Sequence, residues 1–323
     1  MMSPLLYRFF WILPLVFYWY TASPHPGWVD APMIANHVHY LNTTTWVNSH
    51  NLFYLVGKLW SWIFPWGELH HKLVLMCGLF SAVAVHFFFL TGALLTRNPL
   101  ASMLGALAIM LSHSLWWHST MLEVYTLNAM FIAIILYLIA KYDQAGDKKY
   151  LYESAFVWGL GCLNHVLMGL FLFAYLAIFL FSSRRKELLK VGTVLHFSFF
   201  FLAGCQLYLF LFLKELNSEV SRVAEFSYSR LWETLVAQID QATGGHFKKA
   251  MFSENITGET LLNWRLNYIF LLFTNYPSIF FILGFWGIWC LKNFSNFSTW
   301  RLFFIIGLIA QIVWSANYFI WDM

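Results

Sequence analysis

The chain has 323 residues, 60% of them hydrophobic and 21% aromatic but only 11% charged, with a formal net charge of +4. Its apolar residues fall in long runs rather than alternating with polar ones, which excludes a soluble globular enzyme and a membrane barrel and leaves an all-α polytopic membrane protein. The charge lies mostly between the runs, where membrane orientation explains it, and no stacking motif or basic stripe points to nucleic acid.

In chain order, the first run, Leu5 to Tyr20, contains Arg8 and Pro14, lacks a small-residue cleavage site and reads as a retained span. A long outer loop, Thr21 to Lys72, follows. From Asp30, apolar residues at Met33, Ile34, Val38 and Leu41 predict one helix, with Pro32 tolerated in the first turn and Asp30 placed to cap it. After Ser49, Leu52, Phe53, Val56, Leu59, Trp60 and Ile63 predict a second, ended by Pro65. Both have the pattern of helices lying in the membrane interface.

Further spans are predicted at Leu73 to Leu95, Leu100 to Leu115, Val124 to Ala140, Val191 to Leu213, Leu266 to Cys290 and Leu302 to Ile320. The stretch Tyr150 to Phe181 poses a conflict. As one helix it would put the basic loop Lys141 to Lys149 and the run "RRKELLK" on opposite sides, against the positive-inside rule. A fold-back at "GLGCLNH" removes the conflict, with Gly159 and Gly161 loosening the helix and Asn164 and His165 supplying polar groups costly to leave facing lipid. The sum is about nine spans with a cytoplasmic N-terminus. An amphipathic stretch at Leu231, Leu235 and Ile239 lies in the outer segment 214–264. The chain divides into a transmembrane module, 1–213, that outer segment, and a C-terminal hairpin, 265–323.

This topology puts every histidine except His86 and His196 outside the spans or at their outer ends, so the chemistry faces away from the cytoplasm. Asp30 and Glu123, far apart in sequence, reach the same side, each beside aromatic and histidine neighbours, and two converging carboxylates make an acid/base or cation site. Read singly, each has a plain structural explanation: Asp30 as a helix cap, Glu123 as an acid at a helix N-terminus. His70 and His71 read as interfacial anchors. No H-x-x-H or H-E-x-x-H spacing occurs on a predicted helix, and His37 and His39, two apart, point to different faces, so a divalent metal is not supported. The cysteines lie within apolar runs without CxxC spacing and read as free, packed thiols.

Four stretches carry a family resemblance: "VDAPMIA" around Asp30, "SHNLFYLVGKLW" from Ser49 to Trp60, "SLWWHSTMLEVYTLNAMF" around Glu123, and "GLGCLNHVLMGLF" from Gly159 to Phe171. In order and spacing they resemble the GT-C type multi-spanning glycosyltransferases, in particular bacterial relatives of the eukaryotic transmembrane O-mannosyltransferase, over about the first 180 residues. The resemblance implies a GT-C-like helical core and transfer of a sugar from a polyprenyl-phosphate carrier to an acceptor hydroxyl on the outer face. Asp30 looks like the family's essential aspartate and would be the base. Glu123 and Tyr125 would position acceptor or donor. His50, Asn164 and His165 would line the site and donate hydrogen bonds to the phosphate, with Arg265 a further candidate for that task.

Two departures accompany the resemblance. Pro32 and Met33 stand where relatives often carry a glycine-glutamate pair, and "WVNSHN" stands where they often carry His-Pro-Pro-Gly. Family proteins also usually continue with more spans, whereas this chain stops at Asp322 and Met323 just after one, so the chain is expected to be a natural short form, one piece of a split enzyme, or a truncated record. The expected partners are membrane lipid, the lipid-linked sugar, a protein or glycan acceptor and other membrane subunits, in a bacterial inner membrane with the active side periplasmic or extracellular. The alternative is a non-catalytic subunit that keeps the scaffold to anchor a larger complex. A transporter is weaker, since no acid lies mid-span and no inverted repeat is visible.

Overall fold

The computed structural model describes residues 4–25, 27, 30–44, 49–221 and 299–317, with a few positions between 232 and 240. The described residues form helices α1 Pro4–Phe9, α2 Ile12–Tyr20, α3 Asp30–Tyr40, α4 Asn51–Ile63, α5 Leu69–Thr96, α6 Pro99–Met110, α7 His113–Thr120, α8 Tyr125–Ala145, α9 Lys148–Asn164, α10 Phe171–Phe181, α11 Arg185–Leu188, α12 Val191–Ser221 and α13 Thr299–Asn317. A 3-10 turn, Val166–Leu170, precedes α10, and no strand occurs among the described residues.

Three of these helices are long and apolar enough to cross a membrane, Leu69–Thr96, Tyr125–Ala145 and Val191–Leu211, and the pair α6 and α7, bent by 60°, gives a fourth. The apolar side chains of α12 at Val191, Leu195, Phe199 and Leu202 are exposed, as lipid-facing positions would be. This is the build of an integral membrane protein. The expected nine spans are not reached among the described residues, and Leu266 to Cys290 lies outside them. The first apolar run is two short helices, α1 and α2, rather than one.

Local rules explain several boundaries. Asn98 caps α6 by accepting from the Ala101 N–H at 3.1 Å, with Pro99 at the first helical position. Asp147 caps α9 through the Lys149 N–H at 3.0 Å.

The fold-back at His165 is present. Trp158 Nε1 donates to the Met168 carbonyl at 2.7 Å, and Tyr175 Oη bonds Ser154 Oγ at 3.0 Å, so α10 runs back along α9. Gly159 and Gly161 do not loosen the chain, because both lie within α9. They permit close packing instead. A Cβ at Gly159 would lie 2.9 Å from the Gly204 Cα in α12, and one at Gly161 would overlap Met168.

One end of the bundle gathers the segments assigned to the cytoplasmic side. Lys148 pairs with Glu187 at 3.4 Å, Arg184 donates to the Asp143 carbonyl at 3.2 Å, Gln144 reaches the Leu94 carbonyl at 2.7 Å, and Asp143 Oδ1 accepts from the Thr299 N–H at 3.0 Å. Loops 141–149 and 184–190 therefore share an end, as the charge argument requires. At the other end Ser23 N–H donates to the Thr120 carbonyl at 2.8 Å, and Trp116 Nε1 reaches Thr21 Oγ1 at 3.2 Å. These bonds tie the first outer loop to the turn before α8.

Candidate functional site

Helices α3 and α4 form where the apolar pattern places them, but their buried faces are rotated from the expected ones. Ala31, Ile34 and Val38 of α3 are buried, while Met33 and Leu41 are exposed. In α4 the inner face runs through Phe53, Tyr54 and Gly57, while Leu59 and Ile63 face outward. The reason is Gly57: a Cβ there would stand 3.0 Å from Leu73 and 3.1 Å from Val38, so this is where α4 comes nearest to α5 and α3. Outward Leu59, Trp62 and Ile63 suit a helix at a membrane interface.

Asp30 begins α3 itself and is exposed, so its carboxylate stands in the first turn, where the helix dipole favours it. It makes no side-chain hydrogen bond among the described residues, which departs from the expected cap. Glu123 lies in the short connection between α7 and α8, half-buried. Its backbone carbonyl accepts from Cys77 Sγ at 3.3 Å and from Thr126 Oγ1 at 3.4 Å. Those bonds hold the carboxyl-bearing residue to α5 and α8. Burial, and secondarily the charge of Asp30, push the Glu123 carboxyl up to about 7. Asp30 also acts on His50, whose imidazole burial holds below its usual range. Two acids and a histidine from three separate segments thus share one electrostatic environment.

His50 immediately precedes α4, and its Nδ1 lies 2.7 Å from the Asn164 carbonyl. Its ring stacks on His165, with centroids 5.1 Å apart and planes 25° apart. His165 continues the contact to Tyr125 at 5.3 Å, and Tyr125 to His118 at 5.1 Å. On the other side His50 meets Tyr54 at 6.2 Å, and Tyr54 stacks on His37 at 5.0 Å. The result is an unbroken wall of rings, contributed by α3, α4, the turn at His165, α8 and α7, beside the two carboxylates. Burial, and secondarily the neighbouring His50 imidazole, pushes the His165 imidazole down to about 3.

Asn164 is fully buried. Its amide nitrogen donates to the Val124 carbonyl at 3.1 Å and to Asn128 Oδ1 at 2.7 Å, which holds the turn against α8, while its Oδ1 has no partner among the described residues. Arg265 lies outside the described residues. Among the described residues no group of three metal-ligating side chains is close enough to hold an ion.

Sequence reasoning named the acids and the two central histidines but passed over His118, Tyr54, His37 and Asn128 as site-forming residues. His118 lies seven positions before Tyr125 across a turn, and Asn128 is a second asparagine in an apolar span. Those were the available signals.

Residues 49–189 match the family model described as the N-terminal domain of protein O-mannosyl-transferase TMEM260. The chain is similar to the transmembrane protein O-mannosyltransferases. Protein O-mannosyl-transferase TMEM260 of Mus musculus is 28% identical over 164 residues, which cover 50% of this chain and 23% of the mouse protein. Protein O-mannosyl-transferase tmem260 of Dictyostelium discoideum is 25% identical over 177 residues, covering 50% of this chain and 22% of that protein. The chain thus spans less than a quarter of the length of these O-mannosyltransferases. No solved structure matches it. His50, Glu123, Tyr125, Asn164 and His165 all fall inside the stretch matched to the O-mannosyltransferase model, and Asp30 precedes it.

Proposed function

We propose that this chain forms the reaction end of a GT-C type membrane glycosyltransferase that moves a mannosyl group from a polyprenyl-phosphate carrier to a hydroxyl of a protein acceptor. The observation that carries this reading is the meeting of Asp30, Glu123, His50 and His165 at one end of an apolar helical bundle, in a chain similar to O-mannosyltransferases. A lipid-borne donor brings its headgroup to that end while its chain stays among the helices, which suits a site built from interfacial α3 and α4.

The chemistry is a single displacement. The acceptor oxygen attacks the anomeric carbon, the bond from that carbon to the phosphate oxygen breaks, and the phosphate leaves with the electron pair. Asp30, exposed and beside the ring wall, takes the hydroxyl proton. Glu123, whose carboxyl titrates near neutrality, is placed to hold an acceptor or donor hydroxyl in either protonation state. The reaction faces away from the end that carries Lys148, Arg184 and Arg185. The positive-inside rule, with the N-terminus cytoplasmic, supports a periplasmic or extracellular reaction side in a bacterial inner membrane.

The test is transfer of radiolabelled mannose from a polyprenyl-phosphate mannose to a peptide acceptor in proteoliposomes. Asp30→Asn is expected to lower transfer by at least about a hundredfold, within the range for loss of a general base, while the protein stays folded. Transfer at the wild-type rate in that variant removes Asp30 as the base.

A further inference from the structure

The two stacked histidines are fixed in opposite tautomers, and this decides what they bind. A backbone carbonyl only accepts hydrogen bonds, so the 2.7 Å contact from His50 Nδ1 to the Asn164 carbonyl requires the proton on Nδ1. A backbone N–H only donates, so the 3.1 Å contact from Leu167 N to His165 Nδ1 requires that Nδ1 to be bare. In the neutral rings the remaining nitrogens therefore differ: Nε2 of His50 is an acceptor and Nε2 of His165 carries a proton. Neither Nε2 makes a hydrogen bond to a described residue. Both rings commit Nδ1 to the same turn, 164–167, and stack with centroids 5.1 Å apart and planes 25° apart, so the two nitrogens left for a ligand belong to one stacked pair.

We infer that His50 and His165 form a hydroxyl-recognition pair for the sugar, the bare Nε2 of His50 accepting a hydrogen bond from one hydroxyl and the Nε2–H of His165 donating one to the neighbouring hydroxyl. This rests on the glycosyl-transfer reading for the identity of the ligand and refines it. The sequence expectation gave both histidines to the phosphate. The phosphodiester of the sugar-bearing carrier offers acceptor oxygens alone, so it matches His165 and sets a lone pair against a lone pair at His50. Adjacent sugar hydroxyls each donate and accept, and satisfy both nitrogens at once. Burial of the two rings keeps them neutral and the pattern intact. The flanking rings of Tyr54 and Tyr125 extend the wall with apolar faces against which the carbon face of a sugar packs.

The experiment measures binding of a short-chain polyprenyl-phosphate mannose, and of the same polyprenyl phosphate without sugar, to the full chain in nanodiscs. His50→Phe and His165→Phe keep a stacking ring and remove both ring nitrogens, Nε2 together with the Nδ1 bonded to the turn. Each is expected to weaken the sugar-bearing lipid about five- to tenfold, the loss of one net hydrogen bond, and to leave the bare phosphate lipid unchanged. Equal weakening of both lipids assigns the pair to the phosphate and overturns the inference. So does wild-type affinity for the sugar lipid in both variants, an outcome that leaves the transferase reading standing if the wild type still transfers mannose. A wild-type protein that binds neither lipid overturns both. Nitrogen NMR of the wild-type protein with ring-labelled histidine reads the tautomers directly, without any variant. Protons on Nδ1 of His50 and Nε2 of His165 are expected, and the same protonated nitrogen in both rings overturns the inference.

Discussion

The Nδ2 of Asn164 donates to the Oδ1 of Asn128 at 2.7 Å, and it also reaches the Val124 carbonyl at 3.1 Å, inside a region closed to solvent. One amide thus fastens the turn that carries His165 to the first turn of the helix that carries Tyr125. Replacing it with the apolar Asn164→Leu leaves a buried amide oxygen and a buried carbonyl with fewer partners. The expected cost is about 1–3 kcal/mol, measured by denaturant titration of the purified protein in detergent. Unchanged stability would show that the turn is held by packing alone.

Glu123 makes stability depend on pH. Its carboxyl is raised to about 7 in the folded chain against an ordinary value of 4.5, so the folded state keeps a proton that the unfolded state has released. The stability tied to the neutral acid is fully present below about 4.5 and is lost as pH rises through about 7. Glu123→Gln cannot ionise. Wild type is therefore expected to lose stability relative to this variant between those two values, and the difference is expected to level off above them. Parallel stability curves across that window would contradict the burial argument.

Because the charge of Asp30 contributes to that rise, Asp30→Asn is expected to lower the Glu123 pKa without returning it to the ordinary value, since burial is the larger cause. A carboxyl-carbon NMR titration of both proteins checks this. No shift would place the two acids too far apart to act on one substrate.

The approach of α9 to α12 depends on two glycines. Gly159→Ala puts a Cβ 2.9 Å from the Gly204 Cα, where backbone rather than a movable side chain stands in the way. Overpacking of this kind is expected to cost about 1–3 kcal/mol. Gly105→Ala in α6, with nothing within 4 Å of the new carbon, is the control, expected to be neutral or to gain up to about 1 kcal/mol of helix propensity.

Sidedness follows from the two ends of the bundle. Single cysteines at Asp147 and Arg185, both exposed beside the Lys148–Glu187 pair, are expected to react with an impermeant thiol reagent from one side of the membrane. A cysteine at His25, exposed near the bond from Ser23 to Thr120, is expected to react from the other. Labelling of Asp147→Cys and Arg185→Cys from opposite sides would break the hairpin at His165.

The sequence by itself determined the helical class, the two helices at Asp30–Tyr40 and Asn51–Ile63, the fold-back near His165 and the placement of Asp30 and Glu123 toward one end. Each follows from local rules: the length of apolar runs, helical periodicity, and the cost of stranding basic loops on the wrong side of a membrane. Tertiary structure decided what those rules do not reach. Which face of α4 turns inward was set by the absent side chain of Gly57, not by the strongest apolar stripe. The glycines of α9 proved to be packing sites rather than weak points, because their neighbours come from α12 and from beyond the turn. The opposite tautomers of His50 and His165 depend on a carbonyl and an N–H brought to the rings by the turn at 164–167, for His50 across a separation of 114 residues. Hydrogen-bond direction is a property of the assembled pair, and no single segment of sequence carries it.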